Sequence, residues 1–293
     1  MDTRSKVITD IELAIRECLS VLRAHFPQIY LELIARRYNK GGVETPVSHI
    51  IYRLYNADPK IAQYFKDILG NEVKEQYSER VKALNKFFIE ALERARYIVE
   101  QYRSVLDINY GSGWIQVNPK GRLETTRKMY LNCEPAYIDK VIGELVKLMI
   151  HGFVNTRPAI IFKFPNPSNA DMRVLIRSEK IVVYYGNDQL THGVLADWAG
   201  MMSKYFRENA PLFTKKAREG VAFAYEPSPD QQEYAREHTG EEASFGYFMS
   251  LVIARHLYTW CILHQRIPGA IEIRQIAIEI FEDKLMAKHK YKF

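Results

Sequence analysis

Lys128, Lys163, Arg173 and Arg177 are cations on short segments whose other residues read as buried structure. Lys128 opens the run Lys128-Met129-Tyr130-Leu131-Asn132, Lys163 sits in Phe162-Lys163-Phe164, and the two arginines follow within fifteen positions. Removing such groups from water is costly unless an anion answers them, and a phosphate would do so. Arginine suits that partner because its planar fork grips phosphate oxygens with two parallel bonds and stays charged. Arg173 and Arg177 are four apart, so on a helix they share a face and could clamp one phosphate. The plainer reading of the same spacing is a solvated pair answering Asp171 and Glu179.

Elements must hold these groups. From Ser5 to about His25, Val7, Ile8, Ile11, Ile15, Cys18 and Leu22 repeat at helical spacing, which predicts an amphipathic helix. Helical patterns recur at Val47 to Tyr55 and at Pro59 to Leu69, the second stopped by Gly70. A longer helix is expected from about Val73 to Val105, with Leu84, Phe88, Leu92, Ala95 and Val99 in one stripe. The run Asp107 to Gly113 then reads as a turn-rich joint. A helical region over 1–108 and an α+β domain over 109–293 follow from that change of texture.

Beyond the joint, strands are expected at Trp114 to Asn118, Arg127 to Cys133, Ala159 to Phe164, Ile181 to Tyr185 and near Val221 to Tyr225. Helices are expected from about Pro135 to Ile150, Ala170 to Arg177, Gln189 to Arg207, Ser244 to His264 and Ala270 to Lys288. The fold class is therefore α+β, a small mixed sheet flanked by helices.

The chain has 293 residues, 47% hydrophobic and 26% charged, which is ordinary for a folded protein and argues against disorder. A net charge of +6 fits an anionic partner without choosing among nucleic acid, a phosphorylated peptide and an acidic leader. The first residues lack the apolar core of a signal peptide, and the most apolar run, Tyr247 to Leu263, is interrupted by Arg255 and His256. A cytoplasmic protein with no membrane partner is expected. Cys18, Cys133 and Cys261 are far apart and odd in number, so buried reduced thiols are expected.

From Arg127 onward a series of short marks resembles the HopA family of type III secretion effectors. That family is related to the phosphothreonine lyases and to the lyase subunit of class V lanthipeptide synthetases. Tyr130-Leu131-Asn132 is similar to the family's strand ending in Tyr-Leu-Asn, with Lys163 on the next strand, and Arg177-Ser178-Glu179 stands where Arg-x-Asp is usual. Pro211, Thr214, Gly220, Ala224 and Pro227 follow in the family's order, and Ser244-Phe245-Gly246 is similar to its Ser-Phe-Gly helix start. The marks span roughly residues 110 to 260. Two positions depart: Tyr130 stands in place of a histidine general acid, and Met249 in place of an arginine.

The resemblance implies a phosphothreonine-lyase-like core and β-elimination, in which phosphoserine or phosphothreonine loses its α-proton and then phosphate. For that reaction the residue chemistry makes Lys163 the expected base, Lys128, Arg173 and Arg177 the expected phosphate clamp, and Tyr130 a proton donor if neighbouring cations lower its pKa. A lysine serves as base only when neutral. Burial between Phe162 and Phe164 beside an arginine would lower its value from about 10.4. The alternative is a strand lysine whose ammonium reaches water. His192 and His238 are substitute acids. The implied partners are a phosphorylated precursor peptide with its leader and a kinase-like protein, with no cofactor and no metal.

A second function keeps the anion pocket without turnover, as a phosphopeptide- or host-protein-binding effector or scaffold. A nucleic-acid module is a weaker third, since no run resembles an RNA-binding signature. His256 and His264 have no carboxylate at zincin spacing, no Gly-rich phosphate loop carries Lys-Ser or Lys-Thr, and Gly111 and Gly113 make no dinucleotide fingerprint.

Overall fold

The computed structural model describes residues 3–33, 44–56, 79–154, 156–170 and 172–287. The expected helix at Pro59 to Leu69, the start of the long helix at Val73 and the basic tail Lys288 to Lys292 lie outside the described residues. Helices α1 (Thr3–His25), α2 (Pro27–Glu32), α3 (Glu44–Asn56) and α4 (Glu79–Glu100) come first. Strands β1 (Leu106–Tyr110), β2 (Trp114–Pro119) and β3 (Arg127–Leu131) lead to α5 (Ile138–His151), β4 (Ile160–Pro165), α6 (Met172–Leu175), β5 (Ile181–Tyr185) and α7 (Gln189–Met201). Strands β6 (Lys215–Arg218) and β7 (Val221–Tyr225) precede α8 (Pro229–Thr239), α9 (Phe245–His264), α10 (Ala270–Glu282) and α11 (Lys284–Ala287). The chain is α+β.

The described residues pack as two compact units, 79–225 in one, and 3–33, 44–56 and 226–287 in the other. A division at residue 108 marks the change of texture along the chain, while packing puts α4 with the sheet and the closing helices with the opening ones.

In the sheet unit all seven strands join in the order β1-β2-β4-β5-β3-β7-β6. Every pairing is antiparallel, where a mixed sheet was expected. Leu131, Phe162, Phe164, Val183, Tyr185 and Val221 are buried, as are Phe88, Leu92, Ala95 and Val99 of α4, which packs on α5. The expected joint at 107–113 contributes a strand, because Asp107 and Asn109 alternate outward from buried Leu106 and Ile108. Gly111 closes the turn to β2 by donating its N–H to the Trp114 carbonyl at 2.8 Å. β6 was not expected at all: its Lys, Lys, Ala and Arg are exposed, the composition of a protected edge. α7 ends at Met201, short of Arg207, because Phe206 leaves to bridge Cys133.

In the helical unit α1 buries Ile11, Ile15, Cys18 and Leu22 and packs on α3 and α10. Ion pairs Arg4–Glu282 (2.8 Å) and Arg274–Glu12 (2.7 Å) join the first helix to the tenth. Cys18, Cys133 and Cys261 are free and buried, and burial pushes each thiol above its ordinary value. Among the described residues no helix is long and apolar enough to cross a membrane.

Candidate functional site

Side chains alternate along a strand, so register decides which groups meet. Lys163 pairs with Gln116 on one side and Val182 on the other, and Tyr130 is also opposite Val182. Lys128 and Ile161 are both opposite Tyr184. Lys128, Tyr130, Lys163, Tyr184, Gln116 and Trp114 therefore share one face of the sheet. Phe162 and Phe164 point to the opposite face, where their rings stack on each other at 6.3 Å. Lys163 is thus not enclosed by the phenylalanines beside it in sequence. The two-residue period of its own strand turns them away.

Its surroundings are aromatic in another way. The Lys163 Nζ lies 4.8 Å from the Trp114 ring centre and 5.4 Å from that of Tyr184. The Arg177 guanidinium lies 5.0 Å from the Trp114 ring, and the Lys128 Nζ lies 5.1 Å from the Tyr184 ring. Three cations and two rings form a ladder in the order Arg177, Trp114, Lys163, Tyr184, Lys128. Each ring attracts two cations through its negative face, which gathers like charges that would otherwise separate. Lys163 occupies the middle. Lys128 is 5% exposed and Tyr130 3%, while Lys163 and Arg177 are half-buried.

Arg177 departs from the expected helix. α6 covers only Met172–Leu175, so Arg173 lies on it and Arg177 beyond its end, and the two do not share a helix face. The cause is Lys180, which is fully buried and donates to the Arg177 carbonyl at 2.7 Å and to Asn132 Oδ1 at 2.9 Å. Its backbone N–H donates to the Leu131 carbonyl at 3.1 Å, so the turn is tied to the end of β3. Asn132 in turn donates to the Asn209 carbonyl at 2.9 Å. Arg177 also pairs with the buried carboxylate of Glu179, which orients the guanidinium and competes with any anion for it. The side chain of Arg173 lies outside the described residues.

The substitute acids are elsewhere. His192 stands on the opposite face of the sheet, where its Nδ1 meets the Tyr185 hydroxyl at 2.8 Å and its ring packs on Phe223 at 4.5 Å. Burial, with Arg127 and Lys215 nearby, holds this imidazole below its ordinary value. His238 belongs to the helical unit and faces the Tyr234 carbonyl at 2.7 Å. Met249 is fully buried in α9.

Trp114, Tyr184 and Lys180 were not singled out from the sequence as parts of this arrangement, whereas the pairing of Arg177 with Glu179 was the plainer expectation for that arginine. The alternation in β2 and β5 could have put Trp114 and Tyr184 on a face, though not the same one as Lys163 without the register. The Ser-Phe-Gly run has a structural role: the Ser244 hydroxyl caps α9 by accepting from Tyr247 N, and Gly246 admits the Tyr55 ring of α3. Among the described residues no group of three or more His, Cys, Asp or Glu could hold a metal ion.

No family model matches the chain, and no curated protein matches it. Among solved structures, an effector protein from Pseudomonas syringae pv. tomato strain DC3000 is similar at 13% identity with a TM-score of 0.41, covering 89% of this chain and 94% of that one.

Proposed function

We propose that the face carrying Lys128, Lys163 and Arg177 binds the phosphate of a phosphoserine or phosphothreonine peptide and eliminates it. The ladder of three cations on two aromatic rings is the observation that carries the reading. It gathers positive charge at one place on a rigid sheet, with a phenol, Tyr130, two strands from Lys163 in the same row. In the elimination, the neutral Lys163 amine takes the α-proton, the electrons of that C–H bond form the Cα–Cβ double bond, and the Cβ–O bond breaks. Phosphate leaves with that electron pair, Lys128 and Arg177 hold it, and Tyr130 supplies a proton to the departing oxygen. The product is a dehydroamino acid, as in lanthipeptide-type dehydration, which a kinase-like partner would supply with phosphorylated precursor. The residue order shared with HopA-type proteins supports the same chemistry.

A second reading is favoured by the rings themselves. Cations on both sides work against a charge on Lys163, while the faces of Trp114 and Tyr184 work for it. Elimination needs the first influence to prevail; a non-catalytic phosphopeptide-binding effector or scaffold follows if the second does. Incubation with a phosphothreonine peptide separates them. Elimination yields a peptide lighter by phosphoric acid. Affinity without mass change, lost in Arg177→Ala, supports binding alone, and equal affinity for plain and phosphorylated peptide removes both.

A further inference from the structure

A polar cleft of about 420 Å³ opens at the β1 end of the same sheet unit, lined by Asp107, Asn109, Asn118, Ile161 and Arg103 among others. Its strand residues continue the rows that carry the cations. Asn109 is opposite Gln116, which is opposite Lys163; Asp107 is opposite Asn118; and Ile161, beside Lys163 on β4, is opposite Tyr184. Cleft and ladder are two parts of one surface.

The charges in the cleft are unequal in their freedom. Arg103 is committed to Glu100 by two hydrogen bonds, at 2.6 and 2.7 Å, and lies over the Tyr110 ring. The side chains of Asp107 and Asn109 are exposed, and neither has a hydrogen bond or ion pair with any other described residue. Asp107 is thus an unanswered carboxylate lining a concave site, with an amide oxygen two residues along on the same face. That combination accepts from an ammonium or a guanidinium and repels a carboxylate.

We infer that this cleft takes a basic side chain flanking the phosphorylated residue, so that Asp107 sets the sequence preference of the site. The inference rests on the phosphopeptide reading above. Two strand spacings and two residues along β1 separate Lys163 from Asp107, roughly 12 Å, which an extended peptide covers in between three and four residues. The preferred substrate therefore carries Lys or Arg about three residues from the phosphorylated one.

Calorimetry of the full chain with phosphothreonine peptides bearing Lys, Ala or Glu three residues to either side tests this. The Lys peptide is expected to bind about fivefold more tightly than the Glu peptide on one side, the size of an exposed ion pair, and the preference is expected to fade at high salt. Asp107→Lys should reverse it, and Asp107→Asn should level it, with the affinity for the Ala peptide retained. Equal affinities for the three peptides, with plain peptide still rejected, overturn the role of the cleft and leave the phosphate site standing. If plain and phosphorylated peptides bind alike, the phosphate site itself falls and this inference with it.

Discussion

Lys163 holds the middle of a ladder whose other members come from β2, β3, β5 and the turn after α6, so single substitutions should divide its functions. Lys163→Ala is expected to lower elimination by at least about a hundredfold while phosphopeptide binding partly persists, because a base acts in the transition state. Mass-resolved turnover beside calorimetry checks this, and unchanged turnover excludes Lys163 as base. Trp114 positions both Lys163 and Arg177 without being charged. Trp114→Leu removes two cation–ring contacts of about 0.5 to 1 kcal/mol each and should weaken phosphopeptide binding several-fold. Lys180→Met removes a buried donor to Asn132 and to the Arg177 carbonyl, and should cost about 2 kcal/mol in urea unfolding. Much of this was legible beforehand as residue types. Lys128, Lys163 and Arg177 were identifiable as cations in apolar settings, yet their companions were misjudged: phenylalanines adjacent in sequence are on the far face, and the rings that matter come from other strands.

At the scale of elements, the Ser244-Phe245-Gly246 run is the helix start it was expected to be, and its glycine sets how two helices meet. Adding a Cβ at Gly246 would put it 2.2 Å from the Tyr55 ring, so α3 and α9 approach as closely as they do only because that side chain is a hydrogen. Gly246→Ala should therefore destabilise the fold by about 1 to 3 kcal/mol, read as a lower melting temperature, with phosphopeptide selectivity unchanged in the folded fraction. On the sheet, His192 supplies a pH dependence. Its folded-state value lies below the ordinary 6.5, so below that pH the unfolded chain binds the extra proton more readily, and stability falls as acid is added. His192→Gln should flatten this part of the profile. A variant with the same acid sensitivity as the parent would assign it to other groups.

At the scale of the whole molecule, the described opening and closing helices belong to one helical unit. α1 packs on α10 across most of the chain length, and the Arg4–Glu282 and Arg274–Glu12 pairs edge that seam. Deleting residues 1–33 would uncover Ile273, Ile276 and Ile280, which are buried in the intact chain. Circular dichroism should then show loss of helix beyond that of α1 and α2 themselves. Loss confined to the deleted residues would mean that the closing helices stand without them. The net charge of +6 bears on the same scale, since phosphopeptide binding to the ladder should weaken as salt rises.

Sequence alone determined most of the local elements: stripes of period 3.6 and alternations of period 2 are written in neighbouring residues, and Ile181–Tyr185 and Val221–Tyr225 appear where they were expected, while the strands at Leu106–Tyr110 and Lys215–Arg218 were not expected from it. It also supplied the cations. Tertiary structure decided which of them meet, because strand register, the order β1-β2-β4-β5-β3-β7-β6 and the break of α6 before Arg177 depend on contacts between residues far apart in the chain. Strand pairing is set by how whole faces bury together, and no short window of sequence contains that sum.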